Sequence, residues 1–448
     1  MSKVPPSPPI VHSVSEVEQY AGWILGMAVA VAVLFQVHLS LPGGVINLNL
    51  ADPFAVLTLT AAGLHLWFAR QSPRWKIRGF NLALIMMSTT LLLAFLHGWA
   101  EIGITQWALA GRLFGWFVLL GYLAAGYVIV TNVGHHGLRR FAETLICVAV
   151  VIVAMQVILR LLEQWGLHTG ARLTQNFEGY AGNCNAFAFQ LLVVVALLLG
   201  YFEVYARSGA GGQSFSQRSA AVCLLGILLA GLVWTGSRVG ILVGAAMLLV
   251  GVWVIPATRR PLGVSVIVAA ALWTGVLLAA QKSLIMASFS GDGYETQINY
   301  LPMQVFSPEA GEEERLFFSS PSSNQERWDT IVHGFELWLQ SPFVGAGLGV
   351  FNAKSPAWFG YPQVIHSTPL WMLAECGLLG AAVFAWGALL VARYAIRFDR
   401  TLPPYRILLL LLPAFAIFGL AHEIFFQRIF WLVLGAALAQ PYTSRGSR

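Results

Sequence analysis

Apolar runs of bilayer length recur along this chain and leave it few folds to adopt. A helix that crosses a membrane needs about 20 mostly apolar residues, because in hydrocarbon every backbone N–H and C=O must be paired internally. About twelve segments of the 448 residues read as spans: 20–38, 53–69, 79–97, 107–131, 141–163, 184–204, 219–236, 238–255, 262–281, 368–392, 404–423 and 427–441. The last is short. The seventh and eighth are separated only by the turn at Thr235-Gly236-Ser237-Arg238, which predicts a tight helical hairpin. One long polar insert, 282–366, interrupts the series and closes on His366-Ser367-Thr368-Pro369. The pattern predicts an all-α polytopic membrane protein of about twelve transmembrane helices with one large extramembrane insert.

Composition agrees. Charged residues are 10% of the chain and hydrophobic ones 57%, where a soluble domain carries about 25% charged residues. There is too little polar surface to cover a globule. The expected organisation is a tail over 1–19, nine spans over 20–281, the insert over 282–366, three spans over 367–441 and a tail over 442–448. The Pro-rich start lacks the basic region and cleavage site of a removable signal. The net charge of +6 reads as topology rather than as nucleic-acid binding, since Lys and Arg gather in cytoplasmic loops.

That bias orients the chain. Arg70, Arg74, Lys76 and Arg78 share a loop; Arg139 and Arg140, Arg207 and Arg218, Arg259 and Arg260, then Arg393, Arg397, Arg400 and Arg406 recur at every second loop. With Lys3, Arg445 and Arg448, 17 of the 26 basic residues fall on one side. That side is expected to be cytoplasmic, with both termini on it and the insert outside. Within the insert, Ser323-x-x-Glu326 fits a capping box. Behind it, Trp328, Ile331, Val332, Phe335 and Trp338 recur at helical spacing, with Asp329, His333 and Glu336 opposite. An amphipathic helix over 324–340, ending before Pro342, is expected to lie on the membrane or on the bundle.

Several residues on the outer side are candidates for chemistry. His366, at the mouth of the tenth span, carries a group able to accept a proton near neutral pH, or it caps the helix. Arg238 sits at the hairpin turn beside hydrocarbon, where its guanidinium must be paired, hydrated or bound to an anion such as phosphate. Arg327 opens the amphipathic helix, and Arg112, Arg160 and Arg172 fall near outer helix ends or in an outer loop. Together these arginines run against the topological bias and suggest an anionic ligand such as a pyrophosphate. Asn183 and Asn185 either cap the sixth span or bind sugar hydroxyls. Glu375 and His422-Glu423 are intramembrane or boundary groups that either act in the site or balance an arginine. Asp52-Pro53 reads first as a helix start. No DxD pair and no metal-ligand spacing occurs. The four cysteines form no CxxC pair, so no disulfide framework, metal or cofactor is expected.

Three segments resemble the superfamily of bacterial O-antigen ligases and polymerases. They are Thr235-Gly-Ser237-Arg238-Val-Gly; Glu326-Arg327-Trp328 followed by Ser341-Pro342-Phe-Val-Gly345-Ala-Gly347; and His366-Ser-x-x-Leu370 running into Glu375-Cys-Gly377-Leu-Leu-Gly380. Arg172 with Asn183-x-Asn185 fits more loosely. The family often has Asn where this chain has Ser367, and Asn-Pro-Asn where it has Asn183-Cys184-Asn185. The resemblance implies transfer of a glycan from undecaprenyl pyrophosphate at the periplasmic face of the inner membrane. It implies His366 as catalytic base and Arg238 and Arg327 as the essential arginines. Arg172, Asn183, Asn185, Arg112, Arg160 and Glu375 are then expected to contact substrate. Lipid A–core is the expected acceptor; a polymerase, or an enzyme that glycosylates protein side chains, would share the site. A transporter of an anionic lipid-linked solute is the reading from another class, and it would show inverted repeats or midplane breaks.

Overall fold

The computed structural model describes residues 16–41, 44–69, 73, 75–133, 135–165, 177–207, 213–255, 258–289, 321–397 and 402–439. Arg172 and the central part of the insert, 290–320, lie outside the described residues. So do the charged tails at either end.

A helix stands at each predicted apolar run. In chain order these are α1 (Glu16–Ala32), α2 (Asp52–Ala69), α3 (Phe80–Ile102), α4 (Gly115–Val133), α5 (His135–Gln164), α6 (Cys184–Arg207), α7 (Gln213–Trp234), α8 (Arg238–Val254) and α9 (Arg259–Phe289). The insert contributes α10 (Pro321–Gln340) and two short helices, α11 (Val350–Lys354) and α12 (Pro356–Phe359). Beyond it come α13 (Thr368–Arg397), α14 (Pro403–Ala421) and α15 (Arg428–Leu438). Among the described residues, seven helical stretches are long and apolar enough to cross a membrane: α3, the stretch Trp107–Thr131, and α5, α6, α7, α13 and α14; α8 and α15 are apolar but shorter. The protein is an all-α polytopic membrane protein, and α6 is the most enclosed of these seven stretches.

Four features differ from the sequence expectation. The first span does not run to residue 38: α1 ends at Ala32, and an antiparallel hairpin follows, β1 (Gln36–Leu41) paired with β2 (Gly44–Asn49). The period-two alternation of Gln36, His38 and Ser40 with Val37, Leu39 and Leu41 favours a strand there. The amide of Asn49 donates to Val33 O at 2.7 Å, satisfying a carbonyl at the end of α1. The ninth span runs on past residue 281 to Phe289. The stretch before α4, Trp107–Phe114, winds as a π-helix, a form that often marks functional positions. Lastly, α10 begins at Pro321, so Ser323 and Glu326 lie within the helix rather than at its start. Proline suits a first turn, whose N–H groups have no intrahelical acceptor.

The elements meet at two opposite ends of the bundle. At one, Lys76 of the loop after α2 donates through its backbone N to Leu438 O and through Nζ to Ala437 O, joining that basic loop to the end of α15. At the other end, the insert returns into the bundle. Ala346 N and Gly347 N donate to Ala374 O and Glu375 O of α13, and Leu348 N donates to Ala94 O of α3. Leu378 N and Leu379 N donate back to Pro342 O and Phe343 O.

This double bridge needs glycine. α13 is broken at Gly377, whose φ is 67°, and a Cβ there would stand 2.4 Å from Gly345 N. At Gly347, with φ 102°, a Cβ would meet Gly98 N at 2.3 Å. The Gly345–Gly349 run is thus a close-packing seam that fixes the insert against two helices.

Candidate functional site

The site is built at that end of the bundle, where α6, α8, α10, α13 and α14 bring their termini together. Asn183 caps α6: its Oδ1 accepts from Asn185 N at 2.8 Å and from Ala186 N at 3.3 Å. This leaves the Asn185 side chain to turn outward, and its Oδ1 accepts from Ser237 Oγ at 2.7 Å. Ser237 in turn caps α8, accepting from Gly240 N at 3.2 Å. Arg238 is the first residue of α8 and is exposed. The tight turn between α7 and α8 and the start of α6 are therefore one hydrogen-bonded unit, and Arg238 projects from it.

Arg327 comes to the same corner from the insert. It lies within Coulombic reach of Cys184, the first residue of α6, and also of His366 and His422. His366 precedes α13, with Ile365 buried before it. Burial and the Arg327 guanidinium hold the His366 imidazole below its ordinary pKa of 6.5, against the pull of Glu326 and Glu423. His366 is thereby neutral near pH 7, the state in which an imidazole accepts a proton. His422, at the end of α14, is depressed further, to about 4, by burial and then by Arg327 and His366.

Other groups hold these in place. Thr368 Oγ1 donates to His422 O at 3.1 Å and accepts from Ile424 N at 3.0 Å, fastening the start of α13 to the turn after α14. Glu326 accepts from Tyr361 Oη and Gln363 Nε2, tying α10 to the segment that leads into His366.

Arg112, Glu375 and Asp52 have partners within the protein. Arg112, in the π-helical stretch, is buried and pairs through Nη1 with Glu423 Oε2 at 3.0 Å. Its guanidinium also lies 4.7 Å from the Trp371 ring centroid and 4.8 Å from those of Trp107 and Phe426. Glu375 is buried; its Oε2 accepts from Trp371 Nε1 at 2.7 Å, and its carboxylate takes backbone N–H bonds from Gly349 and Phe351. It anchors the start of α11 rather than presenting itself to a ligand. Arg160 is half-buried on α5, which packs against α6 and α7. Asp52 is gripped by Arg428 at 2.7 and 2.9 Å, and it accepts from Tyr122 Oη and Asn49 N. The acid at the start of α2 therefore closes α2, α4 and α15 together.

Ser237, Glu326 and Thr368 were not singled out as site residues by sequence. The signal for Ser237 was present in the residue before Arg238 at a helix start. The partners of the other two are set by tertiary contact. Glu423, which sequence offered either as a site group or as the balance of an arginine, balances Arg112.

Such a corner can do two things. A neutral imidazole can take a proton from a hydroxyl, and exposed or half-buried guanidiniums can hold a phosphate-bearing group nearby.

Comparison with known families places residues 223–385 on the model described as O-antigen ligase. That segment runs from α7 into α13 and contains Arg238, Arg327 and His366. No curated protein matches the chain. The resemblance to the O-antigen ligase superfamily seen in the short motifs thus holds over this segment, in a multi-pass membrane protein.

Proposed function

Starting from that family match, we propose that the protein is an O-antigen ligase. It moves a glycan from undecaprenyl pyrophosphate to a sugar hydroxyl of lipid A–core at the periplasmic face of the inner membrane. The observation that supports the reading is His366 at the start of α13, its imidazole held below its ordinary pKa by burial and by Arg327 of α10, with Arg238 exposed at the neighbouring start of α8.

In the proposed reaction His366 removes the proton from the acceptor hydroxyl as its oxygen attacks the anomeric carbon. The bond from that carbon to the pyrophosphate oxygen breaks, and the electron pair leaves on undecaprenyl pyrophosphate. Arg327 and Arg238 stabilise the charge that develops there, so no metal is required. Attack opposite the leaving group inverts the anomeric centre. The energy comes from the glycosyl–pyrophosphate bond that breaks, and no nucleotide takes part.

The glycan profile of a deletion strain tests the acceptor. Core without O-antigen, with polymer retained on the lipid carrier, is the outcome expected of a ligase. Core carrying a single repeat would instead make the protein a polymerase.

A further inference from the structure

We propose that one face of α10 is set into the hydrocarbon border of the bilayer leaflet nearest the insert, so that the insert is held by lipid as well as by the bundle. The helix has three distinct sides. Thr330, Gly334 and Leu337 are buried, and a Cβ at Gly334 would touch Ile365 and Leu370, so this side rests on the start of α13. Trp328, Ile331, Phe335 and Leu339 form a continuous stripe along another side and are 61%, 42%, 47% and 58% exposed. Asp329, His333, Glu336 and Gln340 form the third side, with His333 Nδ1 at 3.0 Å from Glu336 Oε2.

The spacing of the stripe is that of one helical face. Apolar side chains left facing water forgo the burial that drives apolar association, so four in line call for an apolar partner. What covers them is indicated by where the stripe leads. It continues past Pro342 into Phe343 and Val344, both exposed. Phe343 O and Pro342 O accept from the backbone of Leu379 and Leu378. Those two residues are themselves exposed on α13, a helix long and apolar enough to span. The stripe is thus continuous with the lipid-facing surface of a spanning helix.

The third side fits the same placement. It is polar and acidic, so the attachment rests on apolar burial rather than on attraction to anionic headgroups. Arg327 lies beside the stripe, one residue before Trp328.

The test uses the full-length protein in nanodiscs of phospholipid carrying a diazirine in the acyl chain, with labelled residues read by peptide mass spectrometry. A parallel sample receives a water-soluble carbene reagent. Lipid label is expected on Trp328, Ile331, Phe335 and Leu339, as on Leu93 of α3. Aqueous label is expected on Asp329 and Glu336. Loss of lipid label from the stripe while Leu93 is labelled would overturn the proposal. So would aqueous label on the stripe, equal lipid label on both sides, or cross-links from the stripe to a second copy. None of these readouts depends on glycan transfer, so the proposal and the enzymatic reading fail separately.

Discussion

Ser237 donates its hydroxyl to Asn185 Oδ1 at 2.7 Å while accepting from Gly240 N, so one side chain both caps α8 and ties it to α6. Arg238 is aimed by this joint. Replacing Ser237 with Ala removes the cap, at a cost of about 0.5–2 kcal/mol, and releases Asn185. The expected result is a protein that still inserts but has a raised KM for the lipid-linked donor. Ser237→Thr, which keeps the hydroxyl, is expected to stay close to wild type. Donor titration of the purified variants checks both.

The pH profile follows from His366. Its pKa is held below 6.5 by burial and Arg327, so transfer is expected to be full at neutral pH and to fall only as acid protonates the imidazole. Glu326 pulls that pKa upward. Removing its charge with Glu326→Gln therefore lowers the pKa and moves the acid limb to lower pH, while the Gln oxygen still accepts from Tyr361 and Gln363. Initial rates across the acid range show the direction of the move; a shift to higher pH would contradict the arrangement.

Arg112 and Glu423 are expected to govern stability. Arg112→Met leaves the Glu423 carboxylate partly buried without its partner, and breaking a buried pair in this way costs about 3–5 kcal/mol. Adding Glu423→Gln to Arg112→Met removes the stranded charge and is expected to recover part of the loss. Thermal unfolding of the two variants in one detergent decides this; equal melting temperatures would remove the pair from the account.

Asp52 distinguishes a clamp from a ligand. Its carboxylate is filled by Arg428, Tyr122 and Asn49, so Asp52→Asn is expected to lower the melting temperature and leave the KM for donor unchanged. A selective loss of donor affinity at unchanged stability would return Asp52 to the site.

The spans were legible because a bilayer demands long apolar runs, and such runs are written locally. The Asn183 cap was also legible, since its partners are two and three residues away. The hairpin at β1 and β2 was hidden because its apolar residues merge with the end of the first span. The start of α10 was misread because Pro321, a good first-turn residue, lies just ahead of a serine that mimics a cap. The employment of Asp52 was out of reach: its partner Arg428 lies 376 positions away. The same holds for Arg112, which sequence position suggested as an anion ligand and which tertiary packing places in an aromatic box with Glu423.

The most direct test is transfer by the purified protein in nanodiscs, given a defined undecaprenyl-pyrophosphoryl glycan and a lipid A–core acceptor, with EDTA present. Wild type is expected to transfer at the same rate with and without the chelator. His366→Ala is expected to give no product while its melting temperature stays near that of wild type. Product formation by His366→Ala at the wild-type rate, or loss of wild-type activity in EDTA, would contradict a metal-independent transfer centred on His366.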